Sequence, residues 1–572
     1  MRPRHLFRKA LRRASLISAF AAMAALVAQS GAVAGLSDIP SPPQLPLLPG
    51  ALLISSSVFQ NDPNIVAGST QLPPGCTGST CVTATAGGSY PYVFNNALVD
   101  ASFGITSKIV LNELTPWGFK LGSIDVPNSS QPGISAGADQ MVTSFPSKSE
   151  IGLNLSTDGQ YLTFMGYRAP VGTLDASNSN TPGAIDPTNP VPSAYYRVVA
   201  ELGRDGKFHF TETNAYSGNN GRAAILNNKS GANFLYMAGN AGNGANPQPA
   251  GIVEGAGAQI AQPSLQPEAL QNPGTPTPVG SFNITQLGDK ADKIGKDDNF
   301  RGIGVHNNVL YYTKGSGGNG VDTVYFVDTT GNACPNGVGL PQPGATLPTS
   351  PLAYNASTVT NTGLPSNMCI LAGFPTTLAK AAPTMFPFGV WFANPTTLYV
   401  ADEGTGSNTY SSSSGQYTDA AASTTAGLQK WVFDATAGMW KLAYTLQSGL
   451  NLGQPYTVPG YPTGNNAATG LPWAPATDGL RNLTGRVNPD GTVTIWAMSS
   501  TVSGGGDQGA DPNRLVAITD RTAAGTLPAG GRASRPFRLP RPAACCGESP
   551  SRPGPARPSP EASAFLNGAT CQ

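Results

Sequence analysis

Acidic residues are scarce in this sequence, so the places where they gather stand out. Asp289, Asp292, Asp297, Asp298 and Asn299 lie close together and are followed by Arg301. Closely spaced carboxylates ligate Ca²⁺ through oxygen or orient a polar substrate. Lys290, Lys293 and Lys296 alternate with them, a pattern that equally suits a neutralised, solvated loop. Asp402 and Glu403 end a strand-like run; their side chains either reach the rim of a site or, for Asp402, cap the turn. Glu113, near Lys108, is a weaker candidate of the same kind. His306 ends another strand-like run and reads as a ligand contact, a base or a hydrogen-bonded turn residue. His209 sits in the alternation Lys207-Phe208-His209-Phe210 and reads as a packing or solvated residue of an outer strand. The ligand-binding candidates are therefore Asp297, Asp298, Arg301, His306, Asp402, Glu403 and Glu113. Ca²⁺ is the one cofactor they admit, and none is required.

Familiar catalytic patterns are missing. There is no Gly-x-Ser-x-Gly elbow, no His-Glu-x-x-His and no phosphate loop. A three-histidine zinc site cannot be assembled from His209 and His306. Charged residues make up 11% of the 572 residues and the formal net charge is +1, against roughly 25% charged in an average domain. Nucleic acid is not attracted at long range by such a chain. The ligand classes left open are a small molecule, a glycan or a protein. Trp391, Trp473 and Trp496 offer flat faces that stack on sugars or pack between sheets.

These residues need a scaffold, and the scaffold is written as a repeat. Helical periodicity is almost absent, and short β-rich runs alternate with turn residues. Phe388–Phe392 is followed by Thr397–Asp402, and Gly302–His306 by Val309–Thr313. Ala223–Leu226 precedes Phe234–Ala238, Ile151–Leu155 precedes Tyr161–Phe164, and Leu483–Val487 precedes Val493–Trp496. Further strands follow each pair, most clearly Leu428–Asp434 and Trp440–Thr445. Four strands per repeat is the unit of a propeller blade. Gly302, Gly304 and Gly389 suit a crowded axis. A sixth unit, Leu52–Val58, Ser107–Leu111 and Leu121–Val126, lacks an innermost strand; in a closed propeller the other end of the chain supplies it. The predicted fold is all-β, a six-bladed β-propeller over residues 51–520, with seven blades as the alternative. Long loops poor in charge, such as 173–192, 240–278 and 407–426, have a composition that does not build a core of its own and read either as places for binding or as solvated ornament.

Pro387-Phe388-Gly389-Val390, then Leu398-Tyr399-Val400-Ala401-Asp402-Glu403-Gly404, resembles the pattern of NHL-type six-bladed propellers. The match is strongest over 386–404 and partial at Leu310–Gly315 and Leu235–Gly239. It breaks between Gly404 and Leu428, where a Ser/Thr/Ala-rich insertion replaces a short turn. The resemblance implies an architecture and transfers no activity.

Residues 1–34 read as an export signal: basic residues from Arg2 to Arg13, an apolar run from Leu16 to Ala28, and Ala32-Val33-Ala34 as a cleavage pattern. A secreted or periplasmic location follows, with no membrane-spanning segment in the mature chain. Cys76 with Cys81, and Cys334 with Cys369, are the expected disulfides. Residues 35–50 form a Pro-rich linker. Residues 521–572 hold seven Arg, no Lys and nine Pro and show no strand pattern; they read as a disordered basic tail or as the product of a reading-frame shift, with the last outer strand and the closing strand missing. Two functions fit: an exported binding or scaffold propeller with its ligand on one face of the ring, or a secreted hydrolase or lyase with a metal-assisted site at the channel mouth.

Overall fold

The computed structural model describes residues 47–527, except 60–65, 67, 73–80, 84–103, 135–139, 146, 148, 190, 241–256, 264–279, 282–298, 318–319, 350–367, 382, 460–462, 468, 505–508 and 510; it also describes 535–536 and 564–570. Six sheets of four or five strands form a six-bladed β-propeller. Each repeat found in the sequence is the inner hairpin of one blade. Blade 2 runs outward as Asn154–Leu155, Tyr161–Tyr167, Arg197–Gly203 and Phe208–Thr213. Blade 3 begins with Gly221–Asn227, blade 4 with Phe300–His306, blade 5 with Pro387–Asn394 and blade 6 with Ala476–Val487. Among the described residues the one α-helix is the single turn Thr418–Ala422.

Tight turns make the hairpins possible. In blade 4, Asn307 and Asn308 both adopt positive φ, 48° and 60°, the backbone that a two-residue turn matching strand twist requires. Between blades the chain is packed closely at the axis. A Cβ on Gly302 would strike the carbonyl oxygen of Phe388 in the next blade, and one on Gly389 would stand 3.0 Å from the carbonyl of Arg481. One on Gly152 would lie 3.6 Å from Asn482 Nδ2, so blades 2 and 6 approach each other across the channel and narrow it at that level.

Blade 1 is completed from the other end of the chain. Ala564–Thr570 lies parallel to Leu52–Val58, with Leu52 opposite Ala564 and Val58 opposite Thr570, and it contacts the inner strand of blade 6. Arg535–Pro536 pairs with Leu515–Arg521 as the fourth strand of blade 6. The two strands that were not legible after residue 521 are therefore both present. Apolar clusters bind the seams: Leu53, Ile109 and Leu111 of blade 1 with Leu162 and Phe164 of blade 2, and Leu52 and Ile54 of blade 1 with Trp496 and Met498 of blade 6.

The insertion of blade 4 is stapled by Cys334–Cys369, whose Cα atoms are 5.7 Å apart. Cys76 lies outside the described residues. Two of the long loops, those after Thr173 and after Gly404, are more ordered than their composition implies, while most of 240–278 lies outside the described residues. Arg197, wholly buried, donates to the carbonyls of Tyr195, Ser177, Ser179 and Asn219 and so fixes the segment after Thr173. In the insertion after Gly404, Tyr417 and Ala420 bury against Ala476 and Val502 of blade 6. That loop borrows a core from its neighbour instead of building one. No helix among the described residues is long and apolar enough to cross a membrane.

Candidate functional site at the charged end of the channel

The inner strands of blades 2 to 6 start at one end of the channel, and charge gathers there. Arg222, Arg301 and Arg481 each stand directly before the residue that meets the axis, Ala223, Gly302 and Asn482. Blade 5 places Phe388 before Gly389 at the same point, and both guanidinium carbons, of Arg301 and Arg481, lie 6.0 Å from the Phe388 ring centroid. Glu403, at the end of the neighbouring strand, is held between these two arginines: Arg481 Nε is 3.3 Å from Oε2 and Arg301 Nε is 3.9 Å from Oε1. All three side chains are almost wholly buried. Arg301 also donates through Nη1 to Ser149 Oγ at 2.8 Å and through Nη2 to Ser316 Oγ. Arg222 donates to the Phe300 carbonyl at 2.9 Å and to Asn299 Oδ1.

Beside Glu403 opens a cavity of about 220 Å³ between blades 4, 5 and 6, lined by Asp322, Asp478, Arg481, Ser500 and the turn Gly404-Thr405-Gly406 among others. Lys314 Nζ lies 2.8 Å from Asp322 Oδ1. Burial pushes the Asp322 carboxyl above its usual range against the pull of Lys314, and burial lowers Arg481. The Gly406 N–H donates to Asp478 Oδ2 at 2.7 Å. Three carboxylates, one guanidinium, hydroxyls and turn amides thus converge on one small space.

Asp402 does not face it. Its oxygens accept from the N–H groups of Phe386 at 2.9 Å and Gly404 at 3.0 Å and from Gln429 Nε2 at 3.0 Å. It caps the turn that carries Glu403, and burial pushes its carboxyl up to about 6.

The structure brings Arg301, Asp402 and Glu403 together and separates the other candidates. His306 lies at the far end of the strand that begins with Phe300 and Arg301. Five residues of strand at about 3.3 Å each put it some 16 Å away along the channel. There its ring stacks on Phe392, centroids 4.3 Å apart and planes 3° apart. Glu113 sits in the third strand of blade 1 and accepts from the Leu48 N–H at 2.6 Å. Asp297 and Asp298 lie outside the described residues. Among the described residues no group of three or more His, Cys, Asp or Glu is placed to hold a metal ion. Arg481, Asp322, Asp478 and Lys314 were not singled out from the sequence, although the recurrence of Arg at the start of three inner strands was there to be found. Trp473 and Trp496 are packing residues, buried to 6% and 3% exposure, while Trp391 lines the opposite end of the channel.

These features define a six-bladed β-propeller with an ion-paired pocket at one mouth of its channel. No family model and no curated protein sequence matches the chain. Among solved structures it aligns with an engineered GH43 glycoside hydrolase that displays both endo-xylanase and exo-arabinofuranosidase activity, at 10% identity over 77% of this chain and 78% of that one, with a TM-score of 0.23. That likeness is too low to argue an activity from. The NHL resemblance remains one of local sequence in blade 5.

Proposed function

We propose that the protein is an exported binding propeller that holds a small neutral polyhydroxylated ligand in the pocket beside Glu403. The observation that carries this reading is the pocket's lining: fixed acceptors on Asp322, Glu403 and Asp478, a donor on Arg481, and hydroxyl and amide groups between them. Hydroxyl groups both donate and accept, so a polyol satisfies such a mixture. An ion is poorly served, because the lining carboxylates are offset by Arg301, Arg481 and Lys314. At about 220 Å³ the space is below the roughly 300–1,000 Å³ of sites for drug-sized ligands, which favours a ligand of monosaccharide size. Export is supported by residues 1–34 and by the Cys334–Cys369 bridge, a bond that persists in oxidising compartments.

A panel of monosaccharides and short polyols titrated calorimetrically into the mature protein tests the reading. Saturable binding by at least one, weakened ten-fold or more in Glu403→Gln, is expected. Absence of binding across the panel defeats it.

The second reading is a hydrolase. It is favoured by Asp322, a carboxyl raised by burial that lines the same pocket as Glu403, since a carboxyl held toward its protonated form can act as a general acid. Release of product from glycosides of the bound sugar, lost in Asp322→Asn with binding retained, distinguishes it.

A further inference from the structure

The opposite end of the channel is a different place chemically. Past Gly152 and Asn482, which approach each other across the axis, it opens into a cavity of about 630 Å³ walled by the inner strands of blades 2 to 6. Its polarity is graded along the axis. The residue just past the axial one is apolar in four blades, Leu153, Ile303, Val390 and Leu483, and all four line the cavity. The inner strands run toward this end, so these side chains form its deep part. Polar lining lies at the hairpin turns, on Thr157, Lys229, Asn307 and Asn308. The volume falls within the range of sites that enclose small organic ligands.

Charge at this rim is of one sign. Lys229 is the one lysine or arginine among the described lining residues, and no carboxylate is among them, in contrast to the three at the other end. Its turn is pinned to the rim by blade 2, where Thr157 Oγ1 accepts from the N–H groups of Asn228 at 3.0 Å and Lys229 at 3.2 Å. The Lys229 side chain is exposed, and its ammonium has no ion pair or hydrogen bond among the described residues. Asp158, on the neighbouring turn of blade 2, is occupied elsewhere: it accepts from Ser156 Oγ at 2.6 Å and from the Gln160 N–H at 2.9 Å. A group at the mouth of the cavity can therefore reach an uncompensated cation.

We propose that this cavity is a second ligand site, independent of the charged end, and that it takes an organic acid with an apolar body, the body filling the deep part and the carboxylate meeting Lys229 at the rim. Apolar area leaves water in the deep part, and a carboxylate accepting from an ammonium makes a charge-assisted hydrogen bond. The exposed amides of Asn307 and Asn308 add neutral donors at the same rim. A neutral ligand leaves the ammonium unpaired. A cationic one meets a like charge that no carboxylate in the lining offsets. The formal net charge of the whole chain is only +1, so a preference for the anion has to come from the site.

The test titrates octanoate, octan-1-ol and octylammonium calorimetrically into the mature protein. The three share a chain and differ in the charge of the head group. Saturable octanoate binding about five-fold tighter than that of octanol is expected, with octylammonium weaker than octanol. Lys229→Met keeps the stem and removes the charge; it brings octanoate to the level of octanol and leaves octanol unchanged. Lys229→Glu inverts the order and places octylammonium first. Thr484→Trp fills the cavity from blade 6 and removes binding of all three, with circular dichroism establishing that it is folded. The Lys229 variants alter an exposed side chain, so the charge test stands even where Thr484→Trp does not fold. Octanoate no tighter than octanol, a preference that survives Lys229→Met, binding that persists in folded Thr484→Trp, or no saturable binding overturns the proposal. The probes carry no polyol, so their failure leaves the reading of the charged end untouched.

Discussion

Lys430 Nζ lies 3.2 Å from Asp520 Oδ2, and both side chains are shut off from solvent. The pair joins the third strand of blade 5 to the third strand of blade 6. Tyr399 and Tyr444 donate their hydroxyls to the same carboxylate at 2.6 and 2.8 Å, and Lys430 also donates to the carbonyls of Arg521 and Ala524. An ion pair this deep gains little over an apolar replacement, but removing one partner strands a buried charge. Asp520→Ala is expected to lower the unfolding free energy by about 3–5 kcal/mol, measured by denaturant unfolding. The double variant Lys430→Met with Asp520→Leu is expected to recover much of that loss. An Asp520→Ala protein within about 0.5 kcal/mol of the parent, the scatter of neutral surface changes, contradicts the assignment.

Glu201 gives a pH-dependent prediction. It lies in the third strand of blade 2, 8% exposed, and burial alone pushes its carboxyl up to about 7 from an ordinary value of about 4.3. The folded state therefore favours the protonated form. Between those two values the native protein binds more protons than the unfolded chain, so stability falls as pH rises through the window. The cost is fully present above about pH 7 and absent below about pH 4. Glu201→Gln removes it. The two unfolding free energies are expected to agree near pH 4 and to separate by pH 8, the variant being more stable by on the order of 3–4 kcal/mol. Parallel pH profiles for the two proteins contradict this.

The Cys334–Cys369 bridge closes a loop with a sequence separation of 35, and the loop carries the strand Val338–Gly339 that pairs with Met368–Leu371. Cross-linking a loop of that length restricts the unfolded chain by about 3–4 kcal/mol in the chain-entropy account. Replacing both cysteines by alanine is expected to lower the unfolding free energy by a comparable amount, and dithiothreitol is expected to lower the parent's melting temperature by more than the variant's. A parent insensitive to reductant under unfolding conditions excludes a stabilising role for the bridge.

The hairpins were legible because each carries its own punctuation. Asp158-Gly159 and Asp490-Gly491 separate runs that alternate with period two, and local turn chemistry fixes which strands pair. The charged end was half legible. Arg301, Asp402 and Glu403 stand out locally, but Glu403 meets Arg481 across a sequence separation of 78, and no local pattern encodes that pairing. The signal available was positional: Arg222, Arg301 and Arg481 occupy one station of the repeat, immediately before the axial residue. His306 and Arg301 fall together in sequence yet apart in space, because a strand that lines the channel delivers its two ends to opposite mouths. Lys430 falls in the strand run Leu428–Asp434 and nothing local marks it as buried; it is buried because its partner Asp520 belongs to the next blade.

Ring closure supplies the last prediction. Leu52–Val58 is buried along its whole length and pairs on one side with Thr106–Leu114 and on the other with Ala564–Thr570. Ending the chain at residue 560 removes the second partner and leaves a row of unpaired backbone groups beside the seam with blade 6. Such an edge pairs with other chains, and the apolar contacts of Leu52 and Ile54 with Trp496 and Met498 lose the strand that holds the two blades together. The truncated protein is expected to melt at lower temperature and to scatter light increasingly with concentration, where the full chain stays monodisperse. A synthetic peptide of residues 561–572 is expected to restore part of the lost stability, as a strand supplied in trans. Identical melting and dispersity of the two chains contradict a closing role for Ala564–Thr570, because a strand that joins the first blade to the last cannot be removed without opening the ring.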